Sequence, residues 1–337
     1  MSCLLRDLAY YLPERVLTNH ELARENPDWD LQRTEERTGV VERHIAGDGE
    51  TALDLALQAC RKLFARQPAA REAIDAILFC TQSEDHIMPP NSCILHKHLG
   101  LSENVFALDF NLACSGYVYG LSLARALVAS GQATNLLLVT ADTYSKYVHR
   151  QDRAARVLFG DGAAVTWLGN SRGKARILDT RCFTNGSQYQ KFMIPAGGCR
   201  LPSSERTGIA TADDHGNVRA LDNIHMDGVG VFSFFSSRVP REILGLLAKN
   251  NLTSEQIDLF IFHQASKLIL DHLTAALKLD SGRVFTNLRR IGNTVSASIP
   301  IALENAMASG RLESGMLVVL SGFGVGLSWG SALIEVS

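Results

Sequence analysis

Cys114, His263 and Asn293 are the residues of this chain whose types and settings fit thioester chemistry. Cys114 lies in Asn111-Leu112-Ala113-Cys114-Ser115-Gly116, directly ahead of an apolar stretch, residues 117–130, that reads as a helix. A thiol at a helix N-terminus meets unpaired N–H groups and the positive end of the helix dipole. Both favour the thiolate, so the setting predicts a lowered thiol pKa. His263 follows the apolar run Leu259–Phe262, which places it at the exposed C-terminal end of a buried strand. Asn293 lies in Ile291-Gly292-Asn293-Thr294-Val295-Ser296-Ala297-Ser298, a loop that opens a second long helix. Taken alone, an Asn there reads as a helix cap. The loop 321–327, with Gly324-Val325-Gly326 at its centre, supplies backbone N–H groups that can approach a ligand closely, as an oxyanion hole requires. It lacks the GxGxxG register and following helix of a dinucleotide site.

An internal repeat relates these turns. Ile74-Asp75-Ala76-Ile77-Leu78-Phe79 resembles Ile257-Asp258-Leu259-Phe260-Ile261-Phe262, and Val105-Phe106 resembles Val284-Phe285. Ser130-Gly131 matches Ser309-Gly310, and Phe159-Gly160-Asp161-Gly162 echoes Phe323-Gly324-Val325-Gly326. Each half reads as a buried strand, a second strand (Asn104-Val105-Phe106-Ala107 or Arg283-Val284-Phe285-Thr286), a turn, a long apolar helix closed at Ser-Gly, and two further strands. Alternating strands and helices in a duplicated order predict an α/β protein with a pseudo-twofold axis, with halves 1–173 and 174–337. The axis sets Cys114 opposite Asn293 and Cys80 opposite His263, so the predicted site lies between the halves.

The bulk properties agree with a globular enzyme. The chain has 337 residues, 46% of them hydrophobic and 20% charged, with a formal net charge of −2. That balance gives no reason to expect nucleic acid or an anionic membrane as partner. No run approaches a membrane span, and the opening residues do not read as a secretory signal. The seven cysteines, Cys3, Cys60, Cys80, Cys93, Cys114, Cys182 and Cys199, form no CxxC pairs. They therefore read as reduced thiols of a cytoplasmic protein with no metal site.

These segments resemble the β-ketoacyl-acyl-carrier-protein synthase III family of the thiolase superfamily. The landmarks are Arg37-Thr38-Gly39-Val40, the Cys114 turn, Phe159-Gly160-Asp161-Gly162, His263-Gln264-Ala265, Gly292-Asn293-Thr294 and the Gly-rich end. The resemblance implies a five-layered α-β-α-β-α thiolase fold, a homodimer, no cofactor and a Cys-His-Asn triad. Cys114 would take an acyl group from acyl-CoA. His263 and Asn293 would hold the carbonyl of a malonyl thioester, carried on malonyl-CoA or an acyl carrier protein, as CO2 leaves. The N–H of Cys114 and one from Gly324, Val325 or Gly326 would hold the tetrahedral oxyanions. The C-terminal loop has no second Cys of the thiolase kind, and Asn293 stands where the elongating synthases carry His.

Three sites depart from the family pattern. Arg33 stands where a Trp usually stacks on the CoA adenine, with its usual Arg partner present as Arg153; such a pair could instead clamp phosphate. Leu268 replaces the Arg that docks the carrier protein, with Lys267 alongside, and a basic pair further along reads Ala275-Ala276. Met88 replaces a bulky Phe at the wall of the acyl pocket, which predicts tolerance of longer or unusual acyl chains. These features point to a specialised pathway. The alternative keeps the acyl-Cys and changes the acceptor to the oxygen or nitrogen of a sugar, amine or secondary metabolite.

Overall fold

The computed structural model describes residues 2–337. Nine of its strands form one mixed sheet: β1 (Leu4–Tyr11), β2 (Ala76–Cys80), β3 (Phe106–Phe110), β4 (Asn135–Asp142), β5 (Gly162–Gly169), β6 (Ala175–Thr184), β7 (Leu259–Phe262), β8 (Leu317–Gly324) and β9 (Ser328–Val336). Their spatial order is β7-β8-β9-β6-β1-β5-β4-β2-β3. On one side β2 runs parallel to both β3 and β4, and β4-β5-β1 continue antiparallel. On the other side β7 runs parallel to β8, and β8-β9-β6 continue antiparallel. The two series have the same directions, and β1 meets β6 at their shared edge through Leu4–Arg176 and Leu5–Ala175.

Burial explains the order of the layers. The helices α4 (Gly116–Ala129) and α7 (Ser298–Ala308) are apolar nearly all round, so both faces need cover. They pack between the two halves of the sheet in one core with Leu78, Leu138, Ile261 and Leu320. The helices α2 (Ala52–Arg66) and α3 (Asn91–Leu99) cover the outer face of the first half. α5 (Gly228–Lys249) and α6 (Lys267–Ala276) cover that of the second. The layers run α-β-α-β-α, as the resemblance implied. Strands β2 and β7, covered on both faces, are buried at every residue. That accounts for their unbroken apolar sequence.

The repeat is imperfect at one strand. The run after Arg283, expected to mirror β3, makes a single parallel bridge from Val284 to Phe260. Side chains take the next backbone groups instead: Gln264 Oε1 accepts from the Asn287 N–H at 3.1 Å, and Gln264 Nε2 donates to the Phe285 carbonyl at 3.4 Å. Residues 185–227, to which the sequence assigned no element, form short ribbons, including Thr211–Ala212 with Val218–Arg219 and Phe192–Met193 with His225–Met226. They wall the cavity described next. One more helix, α1 (Leu31–Thr38), carries Arg33 and Arg37. Among the described residues no helix is long and apolar enough to cross a membrane.

Candidate active site

Three turns deliver the predicted triad to one cavity of about 760 Å3. Cys114 lies between β3 and α4, His263 follows β7, and Asn293 lies in the loop before α7. All three line the cavity, with Phe159, Phe192 and Gly324. His263 is almost fully buried. Its Nδ1 lies 2.6 Å from Ser298 Oγ at the head of α7, which leaves Nε2 as the nitrogen without a partner among the described residues. The contact fits either tautomer; in the one where the Ser298 hydroxyl donates to Nδ1, Nε2 carries the proton and is a donor. Burial pushes the imidazole down to about 3, so it is neutral at physiological pH. Asn293 is oriented by the same kind of constraint. Its Oδ1 accepts from the Val295 N–H at 2.9 Å, so the end of the amide left unpaired is the NH2 donor. Val295 is held at φ 54°, a left-handed conformation rare for a β-branched residue.

Cys114 is 3% exposed. Burial first, and the Asp142 carboxylate second, push its thiol well above the usual cysteine range. The lowered pKa expected from the helix N-terminus is therefore not found; burial and the Asp142 carboxylate act in the opposite direction. Asp142, at the end of β4, accepts from the Gln82 N–H at 2.8 Å and from the Ser296 N–H and hydroxyl. Burial nonetheless raises it to about 7.

Each reactive turn is braced by a glycine from the opposite half. A Cβ on Gly324 would lie 2.8 Å from Cys114 Cβ and 2.9 Å from its Sγ, contacts that no real Cβ makes. Reciprocally, Gly160 donates its N–H to the Asn293 carbonyl at 3.0 Å, and a Cβ there would lie 2.7 Å from the Ile291 carbonyl oxygen. The two Phe-Gly pairs noticed as sequence echoes thus serve one site. Among the described residues no backbone carbonyl takes the N–H of Cys114 or Val325; the Cys114 N–H turns to its own thiol sulfur.

The remaining predicted residues disperse. Arg37 lines the catalytic cavity and is exposed. Arg33 projects from the same helix in the exposed class, and Arg153, at the start of the short helix Arg153–Arg156, is part-buried; neither lines the cavity. Lys267 is paired with Asp271 and borders two surface grooves, whereas Leu268 next to it lines the catalytic cavity. Met88 is 79% exposed, preceding Pro89. Val325 and Gly326 line a second cavity behind the Gly-rich turn. Cys80, the repeat-mate of His263, is buried under Gly116 and donates to the Leu112 carbonyl at 2.8 Å. The positioning residues Ser298, Val295 and Asp142 were not singled out from sequence. Ser298 gave no signal beyond opening an apolar helix. No group of three or more metal-ligating side chains occurs among the described residues.

Comparison with known proteins agrees with this geometry. Residues 108–186 match the model of the 3-oxoacyl-[acyl-carrier-protein] synthase III family, and residues 247–336 that of the synthase III C-terminal region. A β-ketoacyl-[acyl-carrier-protein] synthase III of Campylobacter curvus is 34% identical over 335 residues, covering 98% of this chain and 96% of that protein. One from Streptococcus pyogenes serotype M2 is 36% identical, covering 98% of each. A crystal structure of a 3-oxoacyl-(acyl-carrier-protein) synthase III superposes with a TM-score of 0.96 at 41% identity, covering 99% of this chain and all of the other.

Proposed function

The chain belongs to the 3-oxoacyl-[acyl-carrier-protein] synthase III family, and from that premise we propose that it joins an acyl thioester to a malonyl thioester by decarboxylative Claisen condensation. One observation carries the assignment of roles: a buried cysteine shares a cavity with a neutral imidazole held at Nδ1 and an amide whose unpaired end is a donor. In the first step Cys114 Sγ attacks the carbonyl of acyl-CoA. The C–S bond to CoA breaks, and the thiol proton ends on the departing CoA sulfur. Because the resting thiol is neutral, this exchange leaves no charge stranded in a buried site.

In the second step the malonyl C–COO⁻ bond breaks and CO2 leaves. The electron pair moves to the thioester carbonyl, whose oxygen is held by His263 Nε2–H and the Asn293 amide. No strong base is needed, which suits an imidazole that burial keeps neutral. The enolate carbon attacks acyl-Cys114. The tetrahedral oxyanion is held by the Cys114 N–H and one from the 324–326 turn, and Cys114 leaves as thiolate to be reprotonated. Halves 1–173 and 174–337 each supply part of this site. The enzyme works without a cofactor, as a cytoplasmic homodimer, with Arg37 on the wall of the cavity that takes CoA or a carrier-borne thioester, and Arg33, Arg153 and Lys267 outside that cavity.

Intact-mass spectrometry after exposure to acyl-CoA donors tests the first step: an acyl adduct is expected on the native chain and none on Cys114→Ala. Adding malonyl thioester to the acyl-enzyme tests the second. Release of CO2 with loss of the adduct is expected. An adduct that leaves only for an alcohol or amine acceptor, with no CO2, would replace condensation by O- or N-acyl transfer.

A further inference from the structure

A second cavity, of about 570 Å3, lies behind the Gly-rich turn. It shares Phe192 with the catalytic cavity, and Val325 and Gly326 border it beside Gly324, which presses on Cys114. Arg37 is an exposed cation on the wall of the catalytic cavity, and the path that admits the thioester donor must also admit the second thioester while Cys114 is still acylated. The acyl group has to turn out of that path. The space behind the turn is the neighbouring cavity that can receive it.

The character of this cavity is set by its walls. One side is apolar, from Phe192, Ile194 and Ile224. The other carries neutral hydrogen-bonding groups: the Tyr144 hydroxyl donates to Gln82 Oε1 at 2.5 Å, and Gln82 Nε2 donates to Asn111 Oδ1 at 2.7 Å. Tyr144 belongs to the packed cluster that holds Cys114, its ring 5.2 Å from Phe159 and 6.5 Å from Phe192 between centroids. Tyr147 borders the cavity too, half-buried, and its hydroxyl has no hydrogen-bond partner among the described residues. Such a group is satisfied by water or by a ligand, and a plain alkyl chain displacing the water leaves it unpaired. Glu84 and Asp222 at the edge oppose a chain ending in a carboxylate.

Resting on the acyl-Cys114 reading, we infer that the acyl group this enzyme carries bears a hydroxyl, held by the Tyr147–Tyr144–Gln82 wall. Four donors of similar size probe it: butanoyl-, 3-hydroxybutanoyl-, 4-hydroxybutanoyl- and succinyl-CoA, with adduct formation on Cys114 followed by intact mass. The native chain is expected to load one hydroxylated donor about tenfold faster than butanoyl-CoA, the scale of one hydrogen bond in a site that excludes water. Tyr147→Phe should abolish most of that preference without lowering Tm, because its hydroxyl has no partner among the described residues. Loading of butanoyl- or succinyl-CoA as fast as the faster of the two hydroxylated donors would overturn the inference. So would a preference that survives Tyr147→Phe combined with Tyr144→Phe. Absence of any adduct with all four donors would instead overturn the acyl-Cys114 reading.

Discussion

At the scale of single residues, the site works by occupying one end of each polar side chain so that the other end has a fixed role. Asn293 gives its carbonyl oxygen to the Val295 N–H, which also secures the left-handed turn there. Asn293→Ala should therefore lose both stability, by about 1–3 kcal/mol for the unpaired buried N–H, and condensation. Asn293→Asp keeps the acceptor and removes the NH2 donor. Thermal denaturation is expected to place its Tm above that of the Ala variant, while CO2 release stays abolished in both. A similar rise in both readouts would mean that the amide acts only through the turn. His263 makes a prediction with a definite sign. Its folded pKa of about 3 lies below the ordinary imidazole value, so the unfolded chain takes up a proton that the folded chain does not. Its contribution to stability is present above about pH 6.5 and is lost as pH falls toward the folded value. The Tm difference between the native chain and His263→Asn should narrow between about pH 7 and pH 4. The buried Asp142, raised to about 7, works in the opposite direction, its contribution being lost as pH rises, so only the difference between the two chains isolates the histidine.

At the scale of elements, the strands and the two long helices were legible because their burial is extreme. A strand covered on both faces has no room for polar residues, and β2 and β7 carry none beyond their ends. The central helices were readable for the same reason, down to the Ser-Gly steps, where Gly131 and Gly310 adopt positive φ. The strand expected after Arg283 was not, because Gln264, far away in sequence, takes its backbone groups. The same limit hid Ser298 and Asp142, whose roles come from contacts across 35 and 154 residues. The Phe-Gly echo was visible, but its purpose was not: the glycines brace turns of the opposite halves. That crossing predicts two distinct losses. Gly324→Ala forces a methyl against Cys114 and should slow acyl loading by about 10²-fold, with overpacking costing about 1–3 kcal/mol in Tm measurements. Gly160→Ala strains the Asn293 turn and should slow CO2 release more than loading, read by intact mass and CO2 trapping on one sample. Equal losses of both steps in both variants would show that the turns are not held separately.

At the scale of the molecule, one edge of the sheet is left open. Strand β3 ends the order, with Phe106 47% and Leu108 42% exposed. An unpaired apolar edge is a pairing surface unless something covers it. The proposed homodimer is the simplest cover. Phe106→Lys combined with Leu108→Lys should therefore yield monomers in sedimentation experiments while the isolated chain stays folded by circular dichroism; an unchanged dimer would move the contact elsewhere. The crossed glycines carry a consequence of another kind. A nucleophile built wholly within one half would be live as soon as that half had folded, free to strip thioesters indiscriminately during synthesis. Here the seat of Cys114 is completed by Gly324 of the other half. The setting of the nucleophile therefore depends on the docking of both halves.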